Sequence, residues 1–328
     1  MTRTDFAILG AGAIGSILAA HLARAGRSVA VIARGERARA VERDGLRIRG
    51  LADFSVRVQV ITDPGQLEAA DTLIVAMKTP GTEAALERLK SVRIGAALSI
   101  QNGILKDELL ARTFGVERVL GALADTSGEL LPSGEVLFTR NANLPLGELG
   151  GGISERARRI AGMIDQAGVR STAVADIVAM EWTKFTVWLG LMSVAVMTRS
   201  VSWRCLMDAD CARVLVRLAR EVAAVARAQG IALVEEAVAM PLRTILDAPE
   251  PDAVEALRRA GEDMRARAPD HRMSALQDLE AGRPLEVEET FGYAVRKARE
   301  LGLSLPLLEG FHHLVAAVDR IRRAGTGP

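Results

Sequence analysis

The sequence is poor in cysteine and nearly neutral in charge. Its 328 residues include only two cysteines, Cys205 and Cys211, which form neither a disulfide framework nor a zinc-ligand spacing. The 42 Lys and Arg residues almost balance 41 Asp and Glu, which leaves a formal charge of +1. Such a balance gives no long-range attraction to nucleic acid or to an anionic membrane. We therefore expect no metal site, no nucleic-acid partner and a reducing, cytoplasmic location.

Long hydrophobic runs are also missing. The longest, residues 187–197, is too short to span a bilayer. The chain starts Met-Thr-Arg-Thr-Asp-Phe and leads straight into a short apolar run, without the hydrophobic region and cleavage site of a signal peptide. We therefore expect neither membrane insertion nor a secretory leader.

Lysine is scarce, since only five of the 42 basic residues are lysines. Arginine is thus the habitual cation of this chain, and a lysine in an unusual place is informative. The five are Lys78, Lys90, Lys106, Lys184 and Lys297.

The first half of the chain alternates short apolar runs with helical stretches. Residues 5–9 and 28–33 have the pattern of strands, and residues 13–25 between them have helical apolar spacing. Strand, helix and strand at this spacing are typical of βαβ units, which build a parallel sheet. From Asp176 onward the apolar spacing is almost entirely helical. The helical segments predicted there include residues 214–229, 235–246, 252–267 and 306–323.

These patterns predict an α/β chain of two domains, since 328 residues with 49% hydrophobic composition can bury two cores. We expect a Rossmann-type parallel-sheet domain at residues 1–172. An all-helical domain for substrate binding and dimerisation follows at residues 176–328. The apolar face of residues 214–225 is either a dimer surface or core.

A glycine-rich turn of the form G-x-G-x-x-G follows the first predicted strand and opens the first predicted helix. Gly10 permits the tight turn, Gly12 lets the backbone approach a pyrophosphate, and Gly15 lets the helix pack closely on the strand. The helix N-terminus offers free N–H groups to that anion. The predicted dinucleotide contacts are Gly10, Ala11, Gly12, Ala13, Ile14 and Gly15.

The end of the second strand distinguishes NAD from NADP. An NAD site usually carries Asp or Glu there, which binds the ribose 2′-hydroxyl. This chain carries Arg34 instead, and Arg37 is a candidate second cation. Because a guanidinium can bind a 2′-phosphate through two hydrogen bonds, we predict NADP (NADPH) as the cofactor.

Lys184 is the only charged residue between Glu181 and Arg199, in a stretch whose apolar spacing predicts a largely buried helix. Lysine is rarely buried unless it is paired or functional, and desolvation would make it a better proton donor near neutrality. The alternative is a lysine whose ammonium reaches water at a helix end. The residues alone leave both interpretations open.

Five ordered motifs resemble those of the ketopantoate reductase (2-dehydropantoate 2-reductase) family over nearly the whole chain. They are the glycine-rich turn, Lys78 after a strand, Gln101-Asn102-Gly103, Trp182-x-Lys184, and the segment Ser274-x-x-Gln277-Asp278-Leu279…Gly282-Arg283-x-x-Glu286. By itself the last segment is an ordinary capped helix–turn–helix.

This resemblance implies roles for the matching residues. Lys184 would be the general acid that protonates the carbonyl oxygen, and Glu286 would lie near it and near the nicotinamide ribose. Ser274 would hold the substrate carboxylate. Lys78 and Asn102 would contact the cofactor, and Asn102 would also border the substrate. A buried cation beside a carbonyl stabilises the developing alkoxide.

The sequence departs from the family where the substrate would lie. The family commonly carries asparagines four and eight residues after the lysine, and here Trp188 and Met192 stand there. These positions share a helix face with Lys184. Losing hydrogen-bond partners to a polar substrate costs orders of magnitude in discrimination. We therefore expect an altered substrate, bulkier or more apolar beside Trp188 and Met192.

The prediction is an NADP-dependent oxidoreductase that interconverts a 2-oxo acid or related ketone and the matching alcohol. One alternative is a genuine 2-dehydropantoate 2-reductase of pantothenate biosynthesis with a repacked pocket. Another is a non-catalytic NADP-binding sensor, which retention of Lys184 and Glu286 disfavours. An opine- or 6-phosphogluconate-type dehydrogenase has the same two-domain plan but not the motif that ends at Glu286.

Overall fold

The computed structural model describes residues 4–324. The described strands are β1 (Thr4–Leu9), β2 (Val29–Ile32), β3 (Leu46–Gly50), β4 (Phe54–Val56), β5 (Gln59–Ile61), β6 (Ala69–Val75), β7 (Arg93–Ser99), β8 (Val119–Ala122), β9 (Asp125–Leu130), β10 (Val136–Glu148) and β11 (Ser171–Ala173).

The helices alternate with these strands at first and then follow one another. They are α1 (Ala13–Arg24), α2 (Gly35–Asp44), α3 (Thr82–Glu87), α4 (Leu105–Phe114), α5 (Glu155–Gln166), α6 (Ile177–Thr198), α7 (Ser202–Met207), α8 (Ala209–Ala228), α9 (Leu242–Asp247), α10 (Glu250–Arg267), α11 (Ser274–Glu280), α12 (Tyr293–Glu300) and α13 (Pro306–Ala324).

The chain divides into two compact units. The first holds the described residues up to Asn102 and then residues 106–178, and the second holds residues 103–105 and those from Ala179 onward. The fold class is confirmed, since strands and helices alternate in the first unit and helices build the second.

Six parallel strands form the centre of the first unit, in the order β5-β2-β1-β6-β7-β8. Strands buried on both faces need apolar side chains at every position, and β2 (Val-Ala-Val-Ile) is buried throughout. In β1, Phe6 and Ile8 are fully buried, and Ile8 lies in register with Val31 and Ile74 of the neighbouring strands. The chain continues to opposite sides of β1, and this reversal opens a crevice at the carboxyl edge of a parallel sheet.

The sheet as a whole is mixed rather than purely parallel. The 13-residue β10 runs antiparallel to β8 and β9 and parallel to β3 and β11. Strand β4 runs antiparallel to β3. This extension covers the edge that β8 would otherwise leave unpaired.

The second unit is built on helices whose apolar faces are buried. Leu215, Leu218, Val222 and Val225 of α8 are fully buried, so the apolar face of residues 214–225 is core. The Asp208 side chain accepts hydrogen bonds from the N–H groups of Asp210 and Cys211 and fixes the start of α8.

The helix predicted over residues 235–246 is wrong. The structure has a single 3₁₀ turn at Glu235–Ala237 and then the short α9. Pro241 lies between them, has no N–H to donate, and disfavours helical geometry at Met240. Apolar spacing is insensitive to that interruption.

Within residues 4–324, none of the helices combines the length and the hydropathy needed to cross a bilayer. The same residues contain no group of three or more His, Cys, Asp or Glu side chains arranged to hold a metal ion.

His21 of α1 is a buried core residue of the first unit. Its Nδ1 donates to the Ala167 carbonyl oxygen at 2.9 Å, and its ring meets Phe54 and Phe138 edge-on. Its Nε2 has no hydrogen-bond partner among the described residues. Burial lowers the pKa of His21, and nearby Arg24 adds to this, although the bond to Ala167 opposes it.

Stability should therefore fall as the pH drops below the ordinary histidine pKa of 6.5. Above that pH the imidazole is neutral in both the folded and the unfolded protein. Below it, His21 of the unfolded chain binds a proton, whereas His21 of the folded chain stays neutral. The loss continues down to the lowered folded-state pKa. His21→Asn keeps a donor for Ala167 and removes the titration, so its urea midpoint should change less between pH 7.5 and pH 5.5 than that of the parent.

His313→Asn is the matched control, because His313 is exposed on α13. It should retain the parent's full pH dependence. An undiminished loss of stability in His21→Asn would show that His21 is not its source.

Candidate functional site

The residues of the first unit that are predicted to bind the dinucleotide lie at one edge of the sheet. Gly10 directly follows β1, and Arg34 is the second residue after β2; Lys78 and Asn102 are the third residues after β6 and β7. Because β1, β2, β6 and β7 are parallel neighbours, their carboxyl ends meet at this edge.

Two of the three motif glycines are required by the fold itself. Gly10 has φ of +111°, and a Cβ there would lie 2.6 Å from the backbone nitrogen of Met77. A Cβ on Gly15 would overlap the carbonyl oxygen of Gly10 and the Ala76 side chain. These contacts set the distance between α1 and the ends of β1 and β6.

Gly12 is different, because no atom of the described chain requires a glycine there. Its φ is −69°, which any residue adopts, and the nearest atom to a Cβ would be the Ala76 carbonyl oxygen at 3.9 Å. Gly12 is also the N-cap of α1 and provides no side-chain cap. The uncapped N–H groups of α1 and the open space over Gly12 fit a bound pyrophosphate.

Arg34 is available for a ligand. It is the exposed N-cap residue of α2, and its guanidinium has no hydrogen bond or ion pair within residues 4–324. An unengaged guanidinium at the end of β2 fits the 2′-phosphate of NADP.

Arg37 is not available, which corrects its assignment as a second cation for that phosphate. Its Nε donates to the Ala11 carbonyl oxygen, its Nη1 to the Gly134 carbonyl oxygen and its Nη2 to Ser16 Oγ, all at 2.9 Å. Burial lowers the pKa of Arg37, and Arg47 adds to this. Arg37 therefore stabilises the glycine-rich turn.

Gln101 has a structural part in the Gln-Asn-Gly motif. Its buried amide donates to the Met77 carbonyl oxygen at 2.9 Å and to Thr82 Oγ1 at 2.7 Å, and it accepts from Ser99 Oγ. These bonds join the ends of β6 and β7, between which the exposed Lys78 lies. In the sequence, the only indication of this structural role of Gln101 is that the Gln-Asn-Gly motif follows a strand.

Asn102, the next residue, is half-buried, and its side chain makes no hydrogen bond within the described part of the chain. Its amide thus remains able to bind a ligand.

Helix α6 of the second unit is buried along most of its length and exposes one narrow stripe. Between Glu181 and Val196, Lys184 and Trp188 alone are half-buried, and every other residue is buried. Side chains four residues apart lie one above the other on a helix. The predicted proton donor and the predicted substrate-facing aromatic therefore share one face.

The rotation of α6 is fixed by neighbours of Lys184. Trp182, which is 2% exposed, packs edge-on against Phe185 and at a tilt of 45° against Tyr293 of α12. The Thr183 hydroxyl accepts a hydrogen bond from the Val234 N–H at 2.8 Å. Both contacts hold the stripe of Lys184 and Trp188 in one direction.

Met192 lies one turn beyond Trp188 and is fully buried. Its thioether packs inside the protein and offers no surface to solvent. Of the two departures from the family pattern, Trp188 is thus the one whose side chain remains partly accessible.

Ser274 is the half-buried first residue of α11, and its hydroxyl has no hydrogen bond within residues 4–324. The turn that follows α11 is closed by buried Asp278, whose carboxylate accepts from Arg283 Nε at 2.8 Å. The Gln-Asp…Gly-Arg part of the motif therefore shapes the turn that leads to the buried Glu286.

A π-helical turn, Glu288–Gly292, follows Glu286. Its Glu289 is a residue that sequence reasoning missed. Burial raises the pKa of Glu289, and the neighbouring carboxylates of Glu286 and Glu288 raise it further. A third acid in this short segment gave no distinct signal in the sequence.

Comparison with known proteins supports one family. The family model described as "Ketopantoate reductase PanE/ApbA" matches residues 6–151, and the model of its C-terminal domain matches residues 176–319. The chain belongs to the ketopantoate reductase family. It is accordingly an oxidoreductase of the CH–OH/C=O class, in a family that uses a nicotinamide dinucleotide.

Individual relatives cover nearly the whole chain. A 2-dehydropantoate 2-reductase of Archaeoglobus fulgidus is 30% identical over 95% of this chain and 97% of its own length. The crystal structure of a ketopantoate reductase of this family from Ralstonia eutropha is 25% identical, with a TM-score of 0.81 over 98% of this chain and all of that one. The ternary structure of D-mandelate dehydrogenase with NADH and anilino(oxo)acetate is 17% identical and shares the fold, with a TM-score of 0.82 over 98% and 99% of the two chains.

Gly12→Ala should fold normally and bind the dinucleotide at least tenfold more weakly. A Cβ at this position meets only the Ala76 carbonyl oxygen, at an ordinary 3.9 Å, but occupies the space that a pyrophosphate would take. NADPH titration monitored by fluorescence, with thermal unfolding of the unliganded protein, measures both effects.

Gly162→Ala in α5 is the matched control, since a Cβ there meets nothing within 4 Å. It should leave the affinity unchanged and raise stability by about 0.5–1 kcal/mol. Equal affinity of Gly12→Ala and the parent would place the dinucleotide elsewhere.

Proposed function

We propose that this protein is an NADP-dependent reductase of 2-oxo acids that carry a bulky, apolar side chain, or the corresponding dehydrogenase in reverse. The observation that carries the proposal is the stripe on α6, where Lys184 and Trp188 are the two half-buried residues of an otherwise buried segment. The cofactor assignment is supported by the open space at Gly12 and the unengaged Arg34.

In the proposed reaction the protein binds, orients and protonates the substrate. Bound NADPH supplies the hydride. Lys184 donates a proton to the substrate's carbonyl oxygen and stabilises the charge that develops there. The Ser274 hydroxyl and the Asn102 amide hold the carboxylate and the adjoining polar atoms, and Glu286 orients Lys184 and the ribose.

Trp188 sets the substrate class. Its indole is half-buried on the face of Lys184, and its Nε1–H has no hydrogen-bond partner within residues 4–324. An aromatic or branched apolar group gains from contact with such a ring, whereas a small hydroxylated side chain loses the amide partners that the family commonly offers. D-mandelate dehydrogenase, which shares the fold, has a ternary structure with NADH and anilino(oxo)acetate.

The second candidate is a 2-dehydropantoate 2-reductase. It is favoured by the name of the Archaeoglobus relative, which matches nearly the full length of this chain. Homodimer formation stays a prediction, which sedimentation of the purified protein would test.

The substrate experiment measures kcat/KM with NADPH for ketopantoate and for phenylglyoxylate. We expect phenylglyoxylate to be preferred by at least tenfold, and Trp188→Asn to shift the preference towards ketopantoate. A kcat/KM of about 10⁴ M⁻¹ s⁻¹ or more for ketopantoate, with little activity on phenylglyoxylate, would instead support the second candidate.

Lys184→Ala should lower kcat by about 10²–10⁴-fold and leave the affinity for NADPH within a few-fold of the parent's, because it removes the proton donor rather than the dinucleotide site. Lys90→Ala, which removes an exposed lysine paired with Glu87, is the control and should be fully active. Full activity of Lys184→Ala would refute the assigned role. NADPH binding without turnover of any carbonyl or alcohol by the parent would support the sensor.

Arg34→Ala should raise the KM for NADPH by about 10–100-fold and leave that for NADH unchanged, since charge-assisted hydrogen bonds to the 2′-phosphate contribute about 1.5–3 kcal/mol. Arg39→Ala, which removes an exposed arginine of α2, provides the comparison. A parallel rise for both cofactors in Arg34→Ala would show that Arg34 does not read the 2′-phosphate.

A further inference from the structure

Helix α13 contacts the segment around Glu286 at two points. The Asp319 carboxylate accepts a hydrogen bond from the Leu285 N–H at 3.0 Å, and His312 Nε2 lies 2.8 Å from Glu288 Oε1. Asp319 and His312 are seven residues apart, so both lie on the same face of α13 two turns apart. Their contacts fall on the residue before Glu286 and the second residue after it.

The contact at Asp319 satisfies a group that the local sequence cannot satisfy. Leu285 and Glu286 lie in the loop between Pro284 and the helical segment that begins at Val287, so no helix or strand provides a partner for the N–H of Leu285. Asp319 is 7% exposed and divides its two oxygens between partners. Oδ1 accepts from Leu285, and Oδ2 pairs with Arg323 Nη2 at 2.6 Å. Asp319 thus holds this loop from another helix.

The backbone beyond Glu286 is held as well. The fully buried Thr290 hydroxyl donates to the carbonyl oxygen of Glu286, in the π-helical turn Glu288–Gly292. A π-turn shifts the hydrogen-bond register and so leaves a carbonyl to be satisfied by a side chain. With Asp319 before it and Thr290 after it, Glu286 has little freedom of backbone movement.

We propose that Asp319 is a positioning residue for Glu286. The inference rests on the function proposed above, in which Glu286 orients Lys184 and the ribose. Losing this hydrogen bond would free the Leu285 amide and let the Glu286 carboxylate move away from its working position. Displacements of about 1 Å in such a group lower turnover by as much as 10²-fold.

The chain offers a matched control in the same unit. Glu221 of α8 caps the start of α13 by accepting from the N–H groups of Leu307 (3.2 Å) and Leu308 (2.7 Å). Like Asp319, it is a carboxylate that accepts hydrogen bonds from backbone N–H groups of another segment, and that segment does not contain Glu286. Glu221→Ala therefore removes a cap of α13 while it leaves the hydrogen bonds of Asp319 and His312 to the Glu286 segment in place.

The experiment compares Asp319→Ala, Asp319→Asn, Glu221→Ala and Glu286→Gln by steady-state kinetics, thermal unfolding and hydrogen exchange of the Leu285 amide. We expect Asp319→Ala to lower kcat about tenfold with the KM for NADPH changed less than threefold. Asp319→Asn keeps the acceptor oxygen and should recover kcat to within threefold of the parent's. Glu221→Ala should lose thermal stability and keep its kcat.

The proposal is overturned if Asp319→Ala keeps the parent's kcat, if Glu221→Ala loses as much kcat as Asp319→Ala, or if Asp319→Asn does not recover it. An unchanged kcat in Glu286→Gln would instead remove the proposed role of Glu286. In that case, faster exchange of the Leu285 amide in Asp319→Ala alone would still establish the hydrogen bond from Leu285 to Asp319. If Asp319→Ala does not fold, His312→Ala tests the second contact, with a fall in kcat of about threefold expected.

Discussion

The first unit depends on a close contact between two backbone segments, at a position where any residue other than glycine would clash. The chain leaves β1 at Gly10 so close to the backbone of Met77 that a Cβ would lie 2.6 Å from its nitrogen. That approach places the ends of β1 and β6 side by side, and Gly15 then lets α1 start directly over them. The N–H groups at the start of α1 consequently face the sheet edge at the point where the strand order reverses. Anionic ligands bind at this point in such sheets.

A second constraint acts in α6. A helix that is apolar on every side has no preferred rotation from its hydrophobic pattern, so packing contacts must define it. The ring of Trp182 and the Thr183 hydroxyl provide such contacts, and they leave Lys184 and Trp188 as the accessible residues of their segment. The partial exposure of Lys184 and that of Trp188 thus follow from one rotation of α6.

Features that depend on neighbouring residues could be predicted from the sequence, whereas features that depend on contacts between distant segments could not. The central parallel strands and the glycine-rich turn follow from apolar runs and from spacing within ten residues. The full length of strand β10 could not be predicted from local patterns, because its pairing with β3, β8 and β9 comes from distant segments. The roles of Arg37 and Asp319 were missed for the same reason: each bonds a backbone group far along the chain, Arg37 to Gly134 and Asp319 to Leu285.

The family motifs therefore contain two kinds of residue, and the distinction bears on how this chain diverged. One kind is required by the fold itself, because its backbone or side chain makes contacts inside one unit: Gly10, Gly15, Gln101 and Asp278. Residues of this kind match the family pattern here. Of the two departures on the face of Lys184, Met192 is buried and Trp188 keeps accessible surface and an indole N–H without a partner in the described chain. Change at a residue that the scaffold does not use alters the chemistry of a ligand contact at little cost to folding, which is why a retained framework is compatible with a changed substrate.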